Sequence, residues 1–457
     1  MKALHWDITR RCNLRCKHCY NADKYFNKES AVYSENELSL EEAKAVVEFA
    51  VKNGFHKIHM LGGEPLAYPY IFEIIGLIKK NGLLVTMNSN ATLLDDDMQN
   101  KLIDLGVDHF AASLDGVTMH TNDFVRGEGC FEIVCRNMKS FNKKINEKKS
   151  ATQTALAFSL SKSNYRELGG LPQLTADMGC KLLAISLFVE CGNGEKNKEL
   201  FETAIEDQFD ALEKMVSEKL WKYDLHLQLD ARPLVAEYLR TKYNAKVIFN
   251  IYNSLCCAGE NIWYLEADGR VHPCLVYRTA AGEVAEKKGI IQPEKIFLPI
   301  QNGVESVLQT NYWQVFSQYK NKFDKSRIFT CAGCAFSDMC TPCPFEYGQY
   351  DKVVDECEWV LRNLNRDYNV YGKKRIQEVS GLRISSDMVY INGNPVLKIN
   401  NTSAEMIHIL LKQGLLSKAV ECIVEEYQVE YKQVFIDMMY LFYNLMSVKG
   451  ICFCENM

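Results

Sequence analysis

Strand-like and helix-like apolar patterns alternate from the first residues of the chain. Ala3 to Thr9 is an apolar strand-like segment. Ser39-Leu40-Glu41-Glu42 is a capping box, and Ala43, Val46, Val47, Ala50 and Val51 recur at helical spacing until Asn53-Gly54 ends the helix. Lys57 to Leu61 then reads as a strand running into Gly62-Gly63-Glu64-Pro65. The order repeats with a helix near Tyr70 to Lys80, a strand at Leu83 to Met87, a helix at Asp95 to Leu105 and a strand at His109 to Leu114. Two further strands, Thr154 to Leu160 and Leu182 to Val189, flank a helical pattern from Tyr165 to Met178. Six strand-then-helix units predict an α/β chain whose parallel sheet has right-handed crossovers, a partial (β/α)6 TIM-type barrel. From about Ala236 to Arg375 the alternation stops, and after Tyr371 the pattern changes again.

Composition narrows the classes. Over 457 residues, 47% apolar and 24% charged side chains are globular usage, and a net charge of −5 gives no field that would gather nucleic acid or anionic lipid. Met1 to Arg11 lacks the apolar core of a secretory signal, and no apolar run is long enough to span a bilayer, so a cytoplasmic protein is expected. In that compartment 18 cysteines are not disulfides; they point to metal ligands.

Cys12, Cys16 and Cys19 follow the first strand, with three and then two residues between them. A structural zinc site closes a tetrahedron and a cubane normally takes four thiolates, so three would leave one iron open for a ligand. A zinc site completed by His18 is the alternative. The cysteine loop, Gly62 to Pro65, Asn88-Ser89-Asn90 and Ser113 to Gly116 all fall at carboxyl ends of strands, where barrel active sites gather. Glycines there allow close backbone approach, and Glu64 offers a carboxylate to an ammonium group.

These residues resemble the radical S-adenosylmethionine (radical SAM) superfamily, whose CxxxCxxC loop is matched by Cys12, Cys16 and Cys19 and whose GGEP motif is matched by Gly62, Gly63, Glu64 and Pro65. The resemblance covers roughly the first 230 residues. It implies that the open iron of a [4Fe-4S] cluster is chelated by S-adenosylmethionine, with Gly62 to Glu64 at the methionine amine. By the same resemblance Ser113 and Arg126 meet ribose and carboxylate, His18 lies by the adenine, and Asn88 is a further contact. The implied chemistry is reductive cleavage of the sulfonium to a 5′-deoxyadenosyl radical that takes a hydrogen atom from substrate.

A second array carries seven cysteines. Cys257 is followed by eleven residues, Gly269, four residues and Cys274; then come Cys331, Cys334, Cys340, Cys343 and Cys357 with gaps of two, five, two and thirteen. Zinc competes, since zinc ribbons also use paired CxxC units, though with longer intervals. The array resembles the SPASM extension, which holds two auxiliary [4Fe-4S] clusters and would bring the total to three. One departure is the two-residue gap between Cys340 and Cys343. The resemblance implies an outer cluster on Cys331, Cys334, Cys340 and Cys357 and an inner one on Cys257, Cys274 and Cys343, with either Cys256 or an exchangeable site in fourth place. Cys130, Cys135, Cys180, Cys191, Cys422, Cys452 and Cys454 are assigned no role.

In the last segment, Asp387 to Ile391 and Pro395 to Ile399 form a hairpin through Asn392-Gly393, and helices follow near Ala404 to Leu411, Leu416 to Glu426 and Tyr431 to Val448. This is a winged-helix-like pattern. Lys418 alone against Glu421, Glu425 and Glu426 argues against DNA. Leu397 to Ala404 resembles the small peptide-carrying chaperone of pyrroloquinoline quinone biosynthesis, which implies recognition of a leader peptide by strand addition.

The expected domains are therefore 1–235, a radical SAM partial barrel; 236–378, a SPASM unit; and 379–457, a winged-helix-like leader-recognition unit. The expected function is hydrogen-atom abstraction from a ribosomally made precursor peptide, forming a thioether or another side-chain crosslink, with a flavodoxin or ferredoxin as electron donor and neither nucleic acid nor membrane as partner. A sulfatase-maturating, formylglycine-forming enzyme is one rival; Leu275 and Val276 stand where such enzymes carry an acidic residue after the cysteine matched by Cys274. A zinc-bound scaffold is the other. Tyr277, Asp115 and Glu190 are candidate bases by location, and the sequence names neither the modified residue nor the oligomeric state.

Overall fold

The computed structural model describes residues 2–22, 37–249, 256–278, 304–344 and 353–454. Its main unit is a ten-stranded sheet. Eight parallel strands follow in chain order: β1 (Ala3–Thr9), β2 (Lys57–Gly62), β3 (Leu84–Ser89), β4 (His109–Ser113), β5 (Gln153–Leu160), β6 (Leu182–Leu187), β7 (His226–Asp230) and β8 (Val247–Phe249). On the far side of β1 lie β9 (Ile262–Leu265), parallel to it, and β10 (Val271–His272), antiparallel to β9. Neighbours in sequence are neighbours in space with no reversal of order. Right-handed crossovers then put all connecting helices on one face, and such a sheet curls about its uncovered face as an open barrel.

The two faces differ in kind. Leu4, Trp6, Ile58, Met60, Val85, Met87, Phe110, Phe158, Leu183, Ile185, Leu227 and Leu229 are buried in the helix-covered core. The alternate positions read His5, Asp7, His59, Thr86, Asn88, Ala111, Ser113, Ala155, Ala157, Ser159, Ala184, Ser186, Gln228 and Asp230. Period-two alternation sends these to the lumen. Ala111 pairs with Ala155 and Ala157 with Ala184, so small side chains stand side by side across β4 to β6 and leave room inside.

The expected elements are present, with two differences. The capping box of helix Leu40–Lys52 forms, Ser39 accepting from the Glu42 amide and Glu42 accepting from the Ser39 amide. The pattern Tyr165 to Met178 is instead a 3-10 turn, Tyr165–Gly170, followed by helix Leu171–Asp177, because two glycines and Pro172 intervene. The sheet is also larger than six strands. β8 has three residues, with Ile248 exposed, and β9 has four, each buried; both are too short to show alternation. Helix Pro233–Tyr243 runs through the expected boundary at 235/236, and the sheet continues to His272.

Beyond the sheet, helix Asp355–Tyr371 packs on helix Ile205–Glu218, with the Trp359 indole donating to Asp210 at 2.8 Å. The last unit holds a three-stranded antiparallel sheet, Leu382–Ile384, Met388–Ile391 and Asn394–Lys398, and helices Asn401–Gln413, Leu416–Tyr427 and Tyr431–Ser447. Asn392 and Gly393 both adopt positive φ, +50° and +82°, as a tight two-residue hairpin needs. Helix Tyr431–Ser447 buries ten of its side chains and is covered on all sides. Its Tyr440 hydroxyl donates to the Leu234 carbonyl at 2.9 Å and its Tyr443 hydroxyl to Asp367 at 2.6 Å, tying the unit to barrel helix Pro233–Tyr243 and to helix Asp355–Tyr371. Among the described residues no helix is long and apolar enough to cross a membrane.

Candidate active site and second cysteine site

β1 delivers the chain to the barrel edge, where residues 10–20 form the cysteine loop. Three neighbouring edges staple it. The amides of Gly63 and Glu64 donate to the carbonyls of Thr9 and Arg11 at 2.8 and 2.7 Å. Asn90 donates to Asn13 at 2.9 Å, and Asn13 to Thr92 at 2.7 Å. From the segment after β6, the Asn193 amide donates to the Cys19 carbonyl at 2.9 Å, its side chain to the Cys16 carbonyl at 3.1 Å, and Asn197 to the Lys17 carbonyl at 2.9 Å. The carbonyls of Arg11, Cys16, Lys17 and Cys19 in this irregular loop are thus met by fixed partners.

The glycines serve this staple. A Cβ on Gly62 would stand 2.5 Å from the Thr9 carbonyl oxygen, one on Gly63 would collide with the Arg11 carbonyl, and one on Gly192 would stand 2.6 Å from the Cys19 carbonyl. What the Gly-Gly pair approaches closely is the cysteine loop itself. Glu64 is fully buried, accepting from the Ser89 hydroxyl at 2.6 Å and from the amides of Leu66 and Asn90 at 3.0 and 2.7 Å. Its carboxylate therefore ties the loop after β2 to the loop after β3. Burial pushes its pKa up against these hydrogen bonds.

Cys12, Cys16 and Cys19 are half-buried and within electrostatic reach of one another. Burial pushes the Cys12 thiol up to about 12 and Cys19 to about 11, and raises Cys16, so binding of a metal cluster must drive off the protons. Among the described residues no three His, Cys, Asp or Glu side chains are placed around a single ion. A cubane spreads its thiolates over separate irons, wider than one ion does.

Beside the thiols lies a charged triad. Asp115, at the end of β4, is fully buried, with Oδ2 2.9 Å from His18 Nε2 and 2.7 Å from Arg126 Nε, while Oδ1 accepts from the Ser159 amide at 2.9 Å. Burial would raise the Asp115 pKa, but Arg126 and His18 outweigh it and hold the carboxyl well below the usual range. His18 also packs its ring 5.9 Å from that of Phe201. His18 Nδ1 is buried with no hydrogen-bond partner, so a polar atom of a ligand would find one there. Asn88 and Ser113 line the lumen on β3 and β4, half-buried. Three thiols at one edge, with the unsatisfied His18 Nδ1 beside them, fit a cubane capped by S-adenosylmethionine.

The candidate bases separate. Asp115 is the hub of the triad, a locked anion. Glu190 is exposed and paired to Lys198 at 2.8 Å. Tyr277 is buried between Tyr312 and Phe316, its amide donating to Cys274 Sγ at 3.2 Å. None stands free in the lumen. Asp7 does lie there, fully buried and hydrogen-bonded by Tyr264 of β9; its lumen-side place in the alternation of β1 is the available signal.

The second array is sharply organised in one half. Cys331, Cys334, Cys340 and Cys357 line a single cavity together with Arg232 and Lys325. Cys357 comes from the first turn of helix Asp355–Tyr371, the other three from the loop 331–340. Burial raises the thiol of each, Cys340 to about 11. Four thiols around one enclosed space fit a cubane. In the other half, Gly269 turns the β9–β10 hairpin at φ +89°, and the Gly259 amide donates to the Pro273 carbonyl at 2.9 Å, which sets the Cys257 turn beside Cys274. Cys256 and Cys343 are half-buried.

The Radical SAM superfamily sequence model matches residues 6–156. Over those residues the chain carries a radical SAM domain. It is similar to the Fe-coproporphyrin III synthase of Methanosarcina barkeri, at 31% identity over 42% of this chain and 45% of that protein, so the match spans less than half of that relative. It is similar to the mycofactocin maturase MftC of Mycolicibacterium smegmatis at 21% identity over 74% of this chain and 76% of the relative. In structure it resembles Streptococcus suis SuiB bound to the precursor peptide SuiA, with a TM-score of 0.56 at 16% identity over 77% of this chain and 73% of that one. At that identity the likeness speaks for the fold.

Proposed function

We propose that this radical SAM enzyme modifies a ribosomally made precursor peptide, the radical being generated at the Cys12–Cys16–Cys19 loop and acting on a peptide segment held in the barrel lumen. The cofactors are S-adenosylmethionine and a [4Fe-4S] cluster on those three cysteines, with His18, Gly62 to Pro65, Asn88, Ser113 and Arg126 around the nucleoside. Two auxiliary clusters complete the set in a SPASM unit. The outer is on Cys331, Cys334, Cys340 and Cys357; the inner is on Cys257, Cys274 and Cys343, with a site left for Cys256 or a substrate thiolate. The reaction forms a thioether or another side-chain crosslink. A flavodoxin or ferredoxin supplies the electron.

The observation that carries the peptide reading is the last unit, a winged-helix-like leader-recognition unit in this proposal. Its outer strand Asn394–Lys398 is a sheet edge, with Asn394, Pro395, Val396 and Lys398 exposed. An open edge takes an added strand, and the unit is tied to the barrel, so a docked leader keeps its core peptide concentrated near the lumen. A relative named as a maturase and a structural neighbour bound to a precursor peptide support this. Because helix Tyr431–Ser447 covers barrel helix Pro233–Tyr243, truncation would uncover the core, and a point variant is the cleaner test. Val396→Pro should weaken precursor binding at least tenfold while unproductive S-adenosylmethionine cleavage under dithionite persists; equal peptide affinity defeats the leader assignment. Anaerobic coexpression and mass spectrometry of the precursor would show the loss of two hydrogens expected of a crosslink. Oxidation to an aldehyde would favour the sulfatase-maturating rival.

A second reading is favoured by the 31% identity to a protein named Fe-coproporphyrin III synthase, namely a porphyrin-class substrate. Specific binding of a metalloporphyrin by the purified chain, with no affinity for a precursor peptide, would decide for it. Zinc in place of about twelve iron atoms per chain would decide for a scaffold.

A further inference from the structure

Two cations, Arg232 and Lys325, line the four-cysteine cavity, and a third, Lys432, stands beside it on the Phe329 and Thr330 carbonyls. Arg232, just before barrel helix Pro233–Tyr243, donates to the Thr341 carbonyl at 3.4 Å and lies 4.0 Å from Glu356, which accepts from the Arg232 amide at 2.9 Å. Lys325 donates to the carbonyl oxygens of Cys340, at 2.7 Å, and of Ser337. Lys432, the second residue of helix Tyr431–Ser447, donates to the carbonyls of Phe329 and Thr330, both at 3.0 Å, directly before Cys331. Its charge acts on Cys331, Cys334 and Cys357. Arg232 faces a carboxylate. Lys432 meets only carbonyl oxygens and, among the described residues, has no acidic partner within ion-pair distance. The same helix packs behind the cavity's lining further along, where Tyr440 meets Phe336 edge-on at 5.5 Å, and Gly333 lies near Lys432 and Glu430.

We propose that Lys432 is the residue through which the carboxyl-terminal unit sets the reduction potential of the four-cysteine site. A cluster on four thiolates is anionic and gains a further negative charge on reduction. A half-buried, unneutralised ammonium favours the reduced form, because screening is weak at such a site. Since the lysine rides on the leader-binding unit, a shift of that helix by a fraction of an ångström changes the field at the cluster. The carboxyl-terminal unit is then an electrostatic part of the redox site as well as a docking platform. This rests on the reading of Cys331, Cys334, Cys340 and Cys357 as cluster ligands.

The test uses the full reconstituted chain with Cys12, Cys16 and Cys19 replaced by alanine to silence the first site. Iron content comes first: absence of the four-cysteine cluster in this parent sinks the ligand reading itself. With the cluster present, redox titration followed by electron paramagnetic resonance compares Lys432→Gln, Lys432→Arg and, as a distant control in the same unit, Lys418→Gln. Lys432→Gln should lower the reduced-to-oxidised ratio at fixed potential by three- to tenfold, the latter being 59 mV for a one-electron couple. Lys432→Arg should restore most of it, and Lys418→Gln should leave it unchanged. An unchanged potential in Lys432→Gln, an equal shift in Lys418→Gln, or loss of the cluster's iron in Lys432→Gln overturns the proposal, the last by making the lysine a structural strut.

Discussion

The two cysteine sites are built on opposite principles. The barrel loop supplies three thiols at the rim of a polar lumen and is held from outside, by asparagine side chains and glycine-backed amides on neighbouring edges. The second site encloses four thiols in one cavity, with cations on the surrounding carbonyl oxygens. One keeps a face open to a ligand and must be kept in shape by its neighbours; the other is closed and needs mainly its charge balanced. Chemistry on substrate suits the first, and electron storage or passage suits the second.

The contrast is broken most severely through the glycines. Gly63→Ala forces a Cβ against the Arg11 backbone, which no side-chain rotation relieves. It should unseat the cysteine loop, remove about four irons per chain from the first site, and abolish 5′-deoxyadenosine release. Iron assay and chromatography check both. Gly333→Ala, beside the second site, meets only Glu430 and Lys432 side-chain atoms at 3.8 Å and carries just the strain of φ +62°. It should cost about 1–2 kcal/mol and keep its cluster. Equal iron loss in the two variants would erase the distinction.

Next in size is Asp115→Asn. It leaves the Arg126 guanidinium buried beside Cys16 without its anion. Breaking a buried pair from one side costs about 3–5 kcal/mol, to be read as a lower urea midpoint of the metal-free chain. The exposed pair of Arg362, on the helix that carries Cys357, with Glu206 should cost under about 1 kcal/mol when cut.

How much of this was legible follows from distance along the chain. The cysteine spacings and the strand–helix order through β6 are local patterns, and they survive in the structure. β8 and β9 are too short to show a period, whereas β7 alternates between buried and more exposed positions and its signal was there to be read. The Asn193 and Asn197 staple acts on a loop some 170 residues earlier, and no local signal pairs them, although Gly192-Asn193-Gly194 at the end of a barrel strand marked a turn at the active edge. Lys432 and Phe329 likewise stand 103 positions apart. Helix Tyr431–Ser447 did carry a readable warning: its apolar residues cover every side, the mark of a helix packed all round rather than a surface face of a tethered unit.

The mildest probe is acid, and it acts on the two regions with opposite sign. At the floor of the barrel, His5 and His59 meet edge-to-face at 5.0 Å, His59 shares a hydrogen with Thr86 at 2.7 Å, and His109 and Lys57 lie close by. Burial pulls His5 down to about 4 and lowers His59 and His109, and the neighbouring Lys57 charge adds to it. Below 6.5 the unfolded chain therefore binds protons that the folded barrel refuses. Their contribution is complete above pH 6.5 and is lost as pH falls toward 4, about 2 kcal/mol between pH 7 and pH 5 from His5 alone. Glu64 offsets part of this, since burial raises its pKa. On helix Tyr431–Ser447, burial lifts Asp437 to about 6. There the folded state binds the extra proton, so stability rises as pH falls from 6 toward 4. Hydrogen exchange on the metal-free chain at pH 7 and pH 5, corrected for intrinsic rates, should show β1, β2 and β4 losing protection while residues 431–447 hold or gain it. Uniform loss across both would mean that the barrel floor and the carboxyl-terminal helix open as one unit, and the separation between the two regions would then be one of chemistry but not of stability.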